Sequence, residues 1–156
     1  FRHGKSNWSA DFETDFDRPL AGRGSKASKR MGIFLAKSGH LPDLILTSPA
    51  VRAKRTIAIA KQEGGWPAPV ETEDQLYGAD PDTVLSVIRH APEESSITMI
   101  VGHEPTMSDC VRKLSGATVR FPTAAMCRID FEIENWKDAA YGQGELIWHV
   151  PPKLLP

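Results

Sequence analysis

The chain has 156 residues, with 19 basic and 20 acidic side chains and a formal net charge of −1. That balance supplies no global field for nucleic acid or an anionic membrane, so any anion must be bound locally. No apolar run approaches bilayer-spanning length, no signal peptide is visible, and the length fits one domain whose core needs no metal or disulfide staples. Cys110 and Cys127 lie far apart without CxxC spacing and read as free thiols, which points to a soluble cytoplasmic protein. Residues 1–156 are expected to form a single domain whose first strand is incomplete at its N-terminus, since Phe1 alone precedes the polar run Arg2-His3-Gly4-Lys5-Ser6.

After that opening, strands and helices alternate. Gly24–Ser38 carries apolar residues at helical spacing and is stopped by Gly39. Leu44–Ser48 reads as a short buried strand after the turn Pro42-Asp43, and Ala50–Glu63 as a helix entered through Ser48-Pro49 and ended by Gly64-Gly65. Val70–Leu76 is predicted as a strand, and Asp80-Pro81 as the start of a third helix reaching His90. Ile97–Val101 is the most apolar strand, followed by Gly102-His103-Glu104-Pro105 and a fourth helix to Leu114, stopped by Gly116. Met126–Ile133 and Glu145–Val150 alternate as two late strands across a polar turn. The order implies an α/β fold: three α/β/α layers around a mostly parallel sheet, with an antiparallel strand at one edge.

In such sheets ligands sit outside the carboxyl ends of the strands. Three polar motifs fall there: Arg2-His3-Gly4, Ser48-Pro49-Ala50-Val51-Arg52 and Gly102-His103-Glu104. Their chemistry suits a phosphoryl group in transfer, which carries charge on three equatorial oxygens and needs fixed donors on several sides. Arg2 and Arg52 offer planar forks matched to those oxygens, and Arg52 lies in a helical first turn whose dipole favours an anion. A neutral His3 can attack phosphorus, and neighbouring guanidinium groups favour the neutral form. Gly4 is expected to let the backbone approach the phosphoryl group and present its amide. His40, His90 and His149 have no such company and read as structural or surface residues. No two histidines have metal-ligand spacing, so no metal is expected.

These stretches, with Asp17-Arg18-Pro19-Leu20, Gly24, Thr47-Ser48-Pro49, Arg52-Ala53, Thr56 and Val101–Pro105, resemble the histidine phosphatase (phosphoglycerate mutase-like) superfamily, and more narrowly its SixA-type phosphohistidine phosphatases. The resemblance implies a phosphoglycerate mutase-like fold, His3 as the phosphorylated nucleophile, Arg2 and Arg52 on the phosphoryl oxygens, His103 as a donor to the same group, and no cofactor. Larger relatives place a glutamate acid near Leu76, where this chain has Leu76-Tyr77-Gly78; Asp80, or else Asp74, is the substitute acid to consider, with N-capping as the competing role for Asp80. Ser9 stands where mutase-like relatives carry a phosphate-binding asparagine. A missing strong acid fits phosphoramidates better than phosphoesters, because an imidazole leaving group is easily protonated. The expected partner is a phosphorylated signalling protein such as a histidine-containing phosphotransfer domain. A small phosphorylated metabolite, handled by a phosphomonoesterase with an aspartic acid, and a non-catalytic phosphoprotein-binding module are the alternatives.

Overall fold

The computed structural model describes residues 1–156. Its helices are α1 (Gly22–Ser38), α2 (Val51–Gly64), α3 (Pro81–Arg89) and α4 (Thr106–Ser115). Its strands are β1 (Leu44–Thr47), β2 (Val70–Thr72), β3 (Thr98–Val101), β4 (Met126–Phe131) and β5 (Gly144–Val150). β2, β1 and β3 form a parallel sheet with β1 at the centre, and β4 and β5 pair antiparallel. Phe1–His3 stitches the two together. Arg2 bridges Gly102 in parallel, His3 N–H donates to Gly102 O at 3.1 Å, and Arg2 N–H donates to Ala125 O at 3.0 Å on the other side.

β1 is buried along its whole length, as an apolar strand between two helical layers should be. Its alternating side chains divide between two cores. Ile45 packs with Met31, Leu35, Ile57 and Val101 under α1 and α2, while Leu44 and Leu46 pack with Val84, Leu85, Met107 and Val111 under α3 and α4. The helix stops follow the predicted chemistry: Gly39 closes α1 at φ 74° and Gly116 closes α4 at φ 77°, the left-handed region that glycine enters without steric cost.

The stretch Val70–Leu76 differs from expectation. Strand geometry ends at Thr72, and Asp74–Leu76 forms a 3-10 turn, because Glu73 accepts from the Gln75 amide and Leu76 turns inward to 2% exposure. A cavity of about 480 Å³ lies between β3 and β4, lined by Met99, Met126, Ile129 and Trp148 among others. None of Arg2, His3, Arg52 or His103 lines it, so it is not where the strand-end chemistry gathers.

Candidate active site

The parallel arrangement explains why distant residues meet. Phe1–His3 and β3 run side by side, so His3 and His103 leave the sheet together and their rings lie 5.0 Å apart. β1 runs beside β3, and Ser48 N–H donates to Val101 O at 2.9 Å, which brings the Ser48-to-Arg52 turn against the same edge.

His3 is 7% exposed, and its Nδ1 lies 2.7 Å from Gly4 O. A carbonyl can only accept, so Nδ1 carries the proton and Nε2 is left with its lone pair. Burial above all, then the charges of His103, Arg52 and Arg2, hold the His3 pKa down at about 3 against the pull of the Gly4 hydrogen bond. The imidazole is therefore neutral and nucleophilic at physiological pH. His103 is also held neutral, with a pKa near 4 set by burial and by Arg52. Its Nε2 lies 2.7 Å from Ser48 Oγ, which already accepts from the Ala50 amide at 3.3 Å. Either atom of that pair can donate to the other, and His103 Nδ1 has no protein partner.

Each arginine is held by hydrogen bonds within the protein. Arg2 donates from Nη1 to Phe121 O at 2.6 Å, and its Nε is unpartnered. Arg52 is 5% exposed and donates from Nη1 to Asp15 O at 2.6 Å and from Nη2 to Asp15 Oδ2 at 2.9 Å, leaving Nε unpartnered. A third arginine joins them. Arg18, 6% exposed, donates to Asp15 Oδ1 through Nε and Nη2 and to Ser6 Oγ through Nη1, while Trp8 stacks on its guanidinium at 3.7 Å. Tyr77 closes the group: its ring meets His103 edge-on at 5.8 Å, and its hydroxyl donates to Asp15 Oδ2 at 3.2 Å.

Gly4 does something other than expected. Its amide is spent on Thr56 Oγ1 at 2.8 Å, so it does not face an anion, and a Cβ at Gly4 would sit 2.9 Å from Gly24 O. The glycine permits packing against α1, and its carbonyl, not its amide, serves His3. Asp80 caps α3, accepting from Thr83 N–H at 2.8 Å. It is fully exposed, and that hydrogen bond lowers its pKa, which favours the carboxylate over the acid form. Asp74 is exposed in the 3-10 turn before Tyr77. Ser9 is exposed on the loop, its amide bound to Asn7 Oδ1, and makes no hydrogen bond to the arginines. His40 and His90 are exposed, and His149 packs against Phe121.

Asp15, Arg18, Ser48 and Tyr77 had no assigned role in the sequence. Arg18 stood within a quoted motif, but nothing in a run of alternating acids marked Asp15 as the residue that turns inward.

The family model of the histidine phosphatase superfamily, branch 1, matches residues 1–80. An uncharacterised protein of Mycobacterium leprae is 32% identical over 96% of this chain and 99% of its own length. A candidate phosphohistidine phosphatase SixA of Agrobacterium tumefaciens superposes with a TM-score of 0.82 at 29% identity, covering 97% of this chain and 94% of that one. A SixA-assigned structure from Nakamurella multipartita gives 0.83 at 28% identity over 97% of this chain and 92% of its own. With a mostly parallel α/β sheet and a histidine pair at its strand ends, His3 buried and His103 half-buried, the chain belongs to the histidine phosphatase superfamily, branch 1, and its fold is of the SixA type. It is a phosphatase by that membership.

Proposed function

We propose that the protein hydrolyses phosphohistidine on another protein through a phosphoenzyme formed on His3. The observation that carries the reading is the state of His3: buried, neutral, with Nδ1 bound to Gly4 O and Nε2 free beside His103. Nε2 attacks phosphorus, the bond from phosphorus to the leaving nitrogen breaks, and that nitrogen takes a proton. Arg2 and Arg52 take up charge on the equatorial oxygens, with His103 Nδ1 donating to one of them. Water then attacks the phosphoryl group on His3, releasing inorganic phosphate and returning the neutral imidazole.

The proton balance supports this substrate class. Asp80 is engaged as a helix cap, and both carboxylate oxygens of Glu104 accept from Ser108, at 3.0 and 2.6 Å. The side chain in the Leu76 segment that approaches His103 is Tyr77, whose pKa is raised by its burial and by Asp15. An alkoxide leaving group would depend on a strong acid, whereas an imidazole is readily protonated. The SixA-type structures of similar fold favour the same substrate.

The test is phosphate release from a phosphorylated histidine-containing phosphotransfer domain, beside para-nitrophenyl phosphate. Release from phosphohistidine, lost in His3→Ala and kept in Asp74→Asn and Asp80→Asn, supports the proposal. Turnover of the ester alone, abolished by either aspartate change, would replace it with the metabolite phosphomonoesterase.

A further inference from the structure

Asp15 is in the wrong place for a bystander. One carboxylate spans two buried guanidiniums, meeting Arg18 at 2.6 Å and Arg52 at 2.9 Å, and also accepts from Tyr77. The arginine side chains are 8% and 6% exposed while that of Asp15 is 49% exposed, so the carboxylate sits between the buried cations and solvent. Arg52 meets the carboxylate through Nη2 alone and gives Nη1 to the Asp15 main-chain carbonyl, so side chain and backbone of one residue together fill the fork that a phosphoryl group would use. Arg52 gives both terminal nitrogens to Asp15, while Arg52 Nε, Arg2 Nε and His103 Nδ1 are left without partners and shielded from solvent. The hydrogen bonds and charge of Arg18 and Arg52 pull the Asp15 pKa to about 2, so the carboxylate is present at any working pH.

We propose that Asp15 is a resident competitor for the phosphoryl site: it occupies the Arg52 fork in the substrate-free protein, yields it to the phosphoryl group, and retakes it as inorganic phosphate leaves. The inference rests on the phosphatase reading above. It adds a positioning residue that acts through Arg52 and sets the affinity for free oxyanions. The carrier is suited to this exchange, since Asp15 lies in a short 3-10 turn, Asp15–Asp17, flanked by exposed Glu13 and Thr14 and without buried residues of its own. A phosphorylated protein brings contacts beyond the phosphoryl group and can displace the carboxylate. Free phosphate brings none, so the competition falls on the product.

Vanadate, a phosphoryl analogue, tests this by calorimetric titration into wild type, Asp15→Asn and Asp17→Asn. Asp17 removes the same charge from the same turn, where its carboxylate only accepts from Thr14 at 2.6 Å. Asp15→Asn is expected to bind vanadate about tenfold tighter, on the scale of a charge-assisted pair. Inorganic phosphate should inhibit it in the same proportion, and Asp17→Asn should match wild type. Should Asp15→Asn not fold, Tyr77→Phe decides, because it removes one hydrogen bond holding Asp15 in place; tighter vanadate binding supports the proposal and unchanged or weaker binding overturns it. If Asp15 merely braced Arg52, Asp15→Asn would bind more weakly; that result, or equal binding, overturns the inference alone. Absence of vanadate binding in wild type would overturn the phosphoryl pocket and this inference with it.

Discussion

His3 owes its reactivity to a carbonyl and a burial, both fixed by the backbone. Gly4 O at 2.7 Å sets the tautomer, and desolvation keeps the ring neutral. In an NMR titration of the folded protein, His3 and His103 should stay neutral under mild acid and take up protons only near pH 3 and pH 4, well below the ordinary histidine value of about 6.5. A His3 transition near 6.5 would contradict the assigned environment. Ser48 offers a second check, since it holds His103 Nε2 at 2.7 Å. Ser48→Ala should lower kcat/KM by about tenfold or more by freeing the His103 imidazole from its position. Full activity in that variant would remove Ser48 from the account.

At the scale of elements, the site depends on how closely the Arg2–Ser6 segment lies on α1. A Cβ on Gly24 would fall 2.2 Å from Lys5 O, a backbone atom that cannot swing aside. Gly24→Ala should therefore cost about 1–3 kcal/mol in unfolding free energy and lower activity as well, since the displaced segment carries His3. Asp80→Ala should cost about 1 kcal/mol as a lost helix cap while sparing phosphohistidine turnover; denaturant unfolding and the phosphotransfer assay separate the two effects. The same scale shows why part of the site was readable in the sequence. Motifs that end parallel strands are brought to one edge by the fold itself, so Arg2, His3, Arg52 and His103 could be grouped from their places in the chain. Asp15, Arg18 and Tyr77 come from a loop and a turn whose paths are set by tertiary contacts: Phe16 on Tyr77 at 5.2 Å and Arg18 reaching Ser6. Neither contact leaves a periodic trace. Val70–Leu76 forms its expected strand only as far as Thr72, because the Glu73 cap turns Asp74–Leu76 into a 3-10 turn.

Across the whole molecule, the two neutral histidines tie the site to acid stability. Their folded pKa values of about 3 and 4 lie below the ordinary 6.5, so under mild acid the unfolded chain binds protons that the folded protein refuses. Their effect on stability is absent above pH 6.5 and grows unfavourable as pH falls toward 4, at up to about 1.4 kcal/mol per pH unit for each histidine. His3→Gln should flatten that dependence in urea unfolding between pH 6.5 and 4; an unchanged slope would mean that His3 is not buried in its neutral form. Asp15 adds in the same direction at lower pH, since its lowered pKa stabilises the fold above the ordinary carboxylate value and the benefit is lost as pH falls through it.

The central claim, a neutral His3 whose free Nε2 attacks phosphorus, is tested most directly by trapping the intermediate. The protein is mixed with a phosphohistidine donor, quenched in alkali, where phosphohistidine survives, and its peptides are mapped by mass spectrometry. The account predicts phosphate on His3, at Nε2 by ³¹P NMR, and none in His3→Ala. Phosphate release by a wild-type protein that never carries phosphate on His3 would contradict it.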